Sequence, residues 1–217
     1  MKRWKKILLW AVACVVLLVL AVFAIIYRSM QPTTGPRIDV YAMPRTALLV
    51  VDIQEDYTGP QARRRFRDGE RIVAATNALL AQASAKNVLV IHIENTIDNP
   101  LLALLTGGLN APGAPGTAMD RRLMPVSGSR TFRKNRSDAF SNPELDAYLR
   151  AQQVSRLLIV GLDGAYCVNA TTQGALNRGY KVTLYSDGIA TESDTTLDDL
   201  ARRWRVLGAE VSAGTVL

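Results

Sequence analysis

Three side chains from distant parts of the sequence are of the types that acyl transfer needs: the Asp52 carboxylate, the Lys134 ammonium and the Cys167 thiol. Each lies at or just past the carboxyl end of a run that reads as a β-strand. Cys167 is the sole cysteine outside the apolar N-terminal run that holds Cys14, so the domain can form no disulfide of its own. An unpaired thiol in an oxidising compartment needs a reason. Cys167 sits in Leu157-Leu158-Ile159-Val160-Gly161-Leu162-Asp163-Gly164-Ala165-Tyr166-Cys167-Val168, where a strand pattern gives way to a helical one. The positive end of a helix dipole there favours the thiolate, the form that attacks carbonyl carbons. A free cysteine is equally a common small hydrophobe of protein cores.

A nucleophilic thiol needs a base and a field that favours its anion. The chain has one histidine, His92, at the end of a predicted strand, where a structural role and a substrate contact are equally open. Asp52 can act as the base if burial raises its proton affinity. Lys134 can then hold carboxylate and thiolate together and stabilise negative charge as it develops. Taken singly, each has a plain structural explanation: Asp52 as a cap or turn residue, Lys134 as part of the charged surface stretch Arg130 to Arg136.

The elements that must position these residues alternate. Ala47 to Val51 is a continuous apolar run, as expected for a central parallel strand covered on both faces. A helical stripe follows over Glu70 to Ala85, then a strand over Asn87 to His92. Thr106 to Gly116, rich in Gly, Pro and Ala, reads as a loop or lid. Further strands are predicted over Arg130 to Lys134, Arg156 to Val160, Lys181 to Tyr185 and Glu210 to Ser212. Helices are predicted from Asn142-Pro143 to Gln152, with proline suited to the first turn, over Tyr166 to Arg178, and over Thr195 to Leu207. This order predicts an α/β fold, a three-layer, Rossmann-like, doubly wound and mostly parallel sheet of about six strands. In such sheets ligands bind beyond the carboxyl ends of the strands, so the three residues should converge at one edge.

The first 28 residues differ from the rest. Ile7 to Tyr27 is apolar without a break and spans roughly 31 Å as a helix at about 1.5 Å per residue, enough for a bilayer core. It exceeds the roughly 7–15 residue apolar region of a cleaved signal peptide, although Val22-Phe23-Ala24 resembles a poor cleavage site. An uncleaved single-pass anchor is therefore expected. Lys2, Arg3, Lys5 and Lys6 precede the run, which puts the N-terminus in the cytoplasm and the domain on the periplasmic or outer side. Residues 1–28 are assigned to a basic stub and anchor, 29–45 to a linker or extended lead-in, and 46–217 to the globular domain.

The net charge of +7 belongs mostly to the anchor. Residues 1–28 carry five Lys/Arg and no acid, which leaves 21 basic against 19 acidic residues, or +2. The argument for nucleic-acid binding thereby fails. The cluster Arg63-Arg64-Arg65-Phe66-Arg67 reads more as a solvated face than as a contact for anionic lipid or substrate. The expected partners are a small-molecule substrate and the membrane, with no nucleic acid; a homo-oligomer is left open.

The residues around the three reactive groups carry a resemblance. Leu48-Leu49-Val50-Val51-Asp52-Ile53-Gln54 is similar to the first motif of the isochorismatase-like cysteine hydrolases. Lys134-Asn135-Arg136-Ser137-Asp138-Ala139-Phe140 resembles their lysine motif, K-x-R-x-S-A-F, with Asp138 in place of the usual small hydroxyl residue. Val160-Gly161 through Cys167-Val168, Thr171-Thr172, Gly179-Tyr180-Lys181-Val182 and Asp187-Gly188 resemble the nucleophile block. The resemblance covers about residues 46–190. It implies a Cys167–Asp52–Lys134 triad, a non-proline cis peptide near Leu162–Asp163, and an oxyanion hole from the amides of Asp163 and Cys167. The implied reaction is thiolate attack on a C–N amide carbonyl, then hydrolysis of a thioester. Nicotinamidases of the family hold a metal with an Asp and several histidines after the first motif. This chain has no His between Asp52 and His92, so no metal and no cofactor are expected. Gln54, Tyr57 and His92 are candidate pocket residues. Two other readings stay open: a catalytically silent membrane-anchored scaffold, and a vinyl-ether hydrolase of the isochorismate-cleaving type.

Overall fold

The computed structural model describes residues 2–214. Helix α1 (Lys2–Met30) is apolar through most of its length and lies almost wholly outside the domain. Residues 31–44 have no regular secondary structure. The domain then alternates β1 (Arg45–Val51), α2 (Gly69–Ala85), β2 (Leu89–Asn95), α3 (Pro100–Leu105), β3 (Arg130–Lys134), α4 (Pro143–Ala151), β4 (Val154–Gly161), α5 (Asn169–Asn177), β5 (Lys181–Ile189), α6 (Leu197–Val206) and β6 (Glu210–Ser212).

The sheet order is β3-β2-β1-β4-β5-β6 and every neighbouring pair is parallel. Because strand side chains alternate between faces, β1 divides its apolar residues between two cores. Leu48 and Val50 pack under α2 with Ile72, Leu79 and Leu80. Ala47, Leu49 and Val51 face Leu145 and Leu149 of α4, Ala175 of α5 and Trp204 of α6. The result is the three-layer, doubly wound architecture read from the sequence. The strand order reverses between β1 and β4, the switch point beside which such sheets bind ligands.

Local signals act where expected. Asn142 caps α4 by accepting from the Glu144 amide at 2.9 Å, with Pro143 in the first turn. Two boundaries differ from the sequence expectation. β2 runs on through Ile93, Glu94 and Asn95, so His92 lies three residues inside the strand. The helical pattern expected from Tyr166 begins instead as a wide π-helical turn over Gly164–Val168, and α5 starts only at Asn169. The short helix α3 was not expected. Asn99 caps it, accepting from the amides of Leu101 and Leu102.

The segment after α1 is bound to the domain instead of spanning free space. The Thr33 amide and hydroxyl donate to Asp138 Oδ2 at 2.7 and 2.6 Å, and the Ile38 amide donates to the Arg178 carbonyl at 2.8 Å. The Arg178 guanidinium donates to the carbonyls of Thr33 and Thr34. Asp138, the residue that departs from the family's lysine motif, is therefore the fully buried anchor of this lead-in. Burial raises its pKa, against the donors from Thr33 and Phe140.

β1 and β4 approach most closely at Gly161, which has φ +128°, and an added Cβ would lie 1.9 Å from the Val51 carbonyl oxygen. Gly161→Ala is expected to force the two central strands apart and lower stability by about 4 kcal/mol or more. Gly128→Ala, with positive φ but open space around it, should cost only about 1 kcal/mol. Urea midpoints of the two variants check this, and equal effects would contradict the close approach.

Candidate active site

Four strand ends build the site. After β1 the chain turns sharply at Asp52, whose φ of +55° is the left-handed conformation that Asp tolerates better than most residues. The Asp52 amide donates to the Ile93 carbonyl at 2.9 Å, which ties this turn to β2. Asn95 and Lys134 are register partners at the ends of β2 and β3. After β4 comes the cis peptide Leu162–Asp163, at the position the resemblance implied. The Asp163 carboxylate accepts from the Ala165 amide (2.8 Å), the Thr191 hydroxyl (2.7 Å) and the Glu192 amide (3.1 Å). It thereby holds the π-helical turn that presents Cys167. Such turns recur at functional sites. The Asp163 amide N–H donates to no acceptor among the described residues.

The Lys134 ammonium sits at the centre. It donates to Asp52 Oδ2 at 2.7 Å, lies 3.3 Å from Cys167 Sγ and 3.4 Å from Asn95 Oδ1. Lys134 and Asp52 are each 2% exposed. Burial works against the ammonium, but the Asp52 carboxylate and the Cys167 sulfur outweigh it and hold the lysine charged. Burial also raises the Asp52 pKa despite Lys134. Asp52 Oδ1 is buried without a hydrogen-bond partner among the described residues. Burial pushes the Cys167 thiol up to about 12; Lys134 opposes the shift and Asp52 adds to it. Burial therefore opposes the thiolate that a helix dipole would favour. The turn places Cys167 before α5, and desolvation outweighs the field.

Cys167 lines two cavities. The inner one, about 280 Å³, is walled by Asp52, Tyr57, Arg64, Phe66, Asp163 and Tyr166, with Met30 of α1 at its edge. The outer one, about 450 Å³, lies between the end of α1 and α3. Of the residues expected in the pocket, Tyr57 is there; its hydroxyl accepts from Asn110 Nδ2, and burial followed by the Asp52 charge raises its pKa to about 12. Gln54 is not. Its side-chain amide is consumed in a backbone staple, donating to the carbonyls of Asn95 and Thr117 and accepting from the Asn95 amide. His92 is not there either. It lies inside β2, paired in register with Val50 and Thr131, and burial lowers its pKa. The three residues by which β2 continues past His92 are enough to remove it from the edge.

Asn95 was not among the expected residues, because the end of β2 at that position is set by pairing with β1 and β3. Arg64 is exposed, as the cluster's reading as a solvated face expects, but lines the inner cavity together with Phe66. Arg63 holds the Gly107 and Gly108 carbonyls, and Arg65 pairs with Glu70. Among the described residues no three His, Cys, Asp or Glu side chains are grouped as a metal site requires.

The isochorismatase-domain family profile matches residues 46–214. Streptothricin hydrolase of Streptomyces noursei is 34% identical over 149 residues, 68% of this chain and 55% of that protein. N-carbamoylsarcosine amidase of an Arthrobacter species is 25% identical over 148 residues, 63% of this chain and 56% of that protein. The chain thus spans about half the length of these curated relatives. An isochorismatase family protein from Desulfovibrio vulgaris has a crystal structure that superposes with a TM-score of 0.71 at 26% identity, covering 78% of this chain and 94% of that one. With the family profile covering the whole domain, and the fold and motif order in agreement, the chain belongs to the isochorismatase-like hydrolase family.

Proposed function

We propose that the chain is a cysteine amidohydrolase that cleaves a C–N bond of an amide or carbamoyl-type small molecule, held to a membrane by α1. The observation that carries the reading is the buried Lys134 ammonium in contact with both the Asp52 carboxylate and the Cys167 sulfur. Two of the similar proteins are named as a hydrolase and an amidase, streptothricin hydrolase and N-carbamoylsarcosine amidase, which agrees with it.

The charge balance explains how a thiol with a raised pKa can be reactive. Ionised Asp52, charged Lys134 and neutral Cys167 sum to zero. Losing the thiol proton to solvent would leave a net negative charge in a buried site, which desolvation opposes. Passing that proton to the free Oδ1 of Asp52 keeps the sum at zero, with Lys134 now beside the thiolate. The sulfur attacks the substrate carbonyl carbon, and the oxyanion is received by the amides of Asp163 and Cys167. Asp52 returns the proton to the leaving nitrogen as the C–N bond breaks, leaving a thioester. Asp52 then takes a proton from water, which attacks the thioester and releases the acid and the thiol.

Anchoring by α1 is supported by its length and apolar composition. It is supported further by the contacts of its far end: the Arg136 guanidinium donates to the Arg28 carbonyl at 2.7 Å, and the Ser137 amide to the Ser29 carbonyl at 2.8 Å. Residues just past the apolar run are therefore part of the site's wall, which supports retention of α1 in the working protein. The basic residues before the run favour a cytoplasmic N-terminus and a domain on the other side.

Three outcomes follow. With carbamoyl compounds and simple amides as substrates and ammonia release as the readout, Cys167→Ala should abolish turnover. Asp52→Asn should lower kcat/KM by about 10²–10⁴; wild-type rates in both variants would overturn the assignment. In a Cys14→Ser background, alkylation of Cys167 by iodoacetamide should keep rising above pH 10, because a raised pKa leaves little thiolate below it. A plateau near the ordinary thiol value of about 8.5 would contradict the proton arrangement. A C-terminal alkaline phosphatase fusion should be active in cells, and a silent fusion would reverse the orientation.

A further inference from the structure

The thiol lies where two cavities meet. Toward β1 it faces Asp52, Tyr57 and Asp163. On the other side the outer cavity has Ile25 of α1, Ile97 and Leu102 of α3 as its apolar wall, and polar residues after β2 and β3, Asp98 and Arg136 among them, complete it. Ile25 belongs to the apolar run that ends at Tyr27. At about 1.5 Å of rise per residue, this wall begins roughly 3 Å inside the bilayer boundary that α1 would set.

The chemistry of α3 is independent of α1 and points the same way. Its sequence Pro100–Leu105 is apolar throughout, it buries none of its residues, and Leu101, Leu104 and Leu105 are 44%, 77% and 66% exposed. A short apolar helix in water gains nothing from such exposure. Beside the emerging end of an anchor, its leucines meet the same bilayer, and Arg28 and Arg136 stand at the same mouth in the place where cations favour anionic headgroups.

We infer that the substrate is an amphiphile: an amide whose reacting carbonyl sits at Cys167 and whose apolar chain runs between α1 and α3 to the bilayer surface. This rests on the reading of α1 as an anchor and of Cys167 as the nucleophile. The inner cavity then takes the smaller, polar substituent, beside Tyr57 and the Arg64 guanidinium. The outer cavity takes the chain, so that substrate enters from lipid and the polar product leaves to water.

The test uses the full-length chain with Cys14→Ser in phosphatidylcholine vesicles, and N-methyl, N-hexyl and N-dodecyl iodoacetamide as probes. Alkylation of Cys167 is followed by mass spectrometry of its peptide, so it requires no turnover. Rates should rise by about tenfold for every two methylenes buried until the cavity is filled. Leu102→Asn, in the cavity wall, should cut the dodecyl-to-methyl ratio at least tenfold. Leu104→Asn, on the same helix but outside the cavity, should leave that ratio as it was. Probe partition into the vesicles is common to all three proteins, so it cannot produce the difference. An unchanged ratio in Leu102→Asn would overturn the amphiphile proposal alone. Release of the protein from the vesicles by alkaline carbonate would overturn the anchoring reading and, with it, entry from lipid.

Discussion

A lysine ammonium buried among strand ends is the constraint on which the rest of the site depends. Stranding such a charge without its partner costs about 3–5 kcal/mol. Lys134 therefore requires the Asp52 carboxylate at 2.7 Å, and the pair ties the end of β3 to the turn after β1. These strands are not neighbours. β2 lies between them, and Asn95 at its end gives the ammonium a further acceptor. Cys167 comes from the other side of the switch point, carried by the turn after β4. In the proposed mechanism the same charge makes the site responsive, because a proton passed from sulfur to carboxylate would leave unchanged the net charge that burial penalises.

The second constraint is the coupling of that site to the chain before it. The family's lysine motif is altered at one position, Asp138, and the alteration has a local purpose. Asp138 receives the amide and hydroxyl of Thr33, and Gly174 leaves room for it: a Cβ there would fall 2.3 Å from Asp138 Oδ2. Arg178 completes the clasp from α5. Lead-in and domain are thus held within four residues of Lys134, and the end of α1 becomes part of the wall around Cys167. If α1 anchors the chain as proposed, a helix clasped at the site's mouth would make the bilayer surface part of the approach, where one on a flexible tether would not.

The parts of the site that could be read in advance are those where chemistry and strand ends coincide. Asp52, Lys134 and Cys167 each follow an apolar run, and parallel topology converts three such positions into one edge. Tyr57, a candidate pocket residue from the sequence, does line the inner cavity. Gln54 and His92 were not readable in the same way. Both are polar residues close to strand ends, but the carboxyl end of β2 depends on pairing with β1 and β3, which extends it to Asn95. His92 is left inside, and the Asn95 backbone takes the Gln54 amide. Arg64 hides within a run of similar residues, each of which finds its partner or its cavity only through the folded loops around it.

From the sequence alone come the order of elements, the apolar run of α1, the charge partition between anchor and domain, and the three residue types that chemistry would need. These are properties of composition and period, and they survive any rearrangement of neighbours. What only the tertiary structure decided is the state of those residues. The thiol's proton, the carboxylate's free oxygen, the clasp of Asp138 on Thr33 and the nearness of Ile25 and Leu102 to Cys167 all depend on burial and distance between segments far apart in the chain. Desolvation is a property of what surrounds a group. No local pattern encodes it, which is why a thiol that the helix dipole would push toward the anion has its pKa raised by burial beside a lysine.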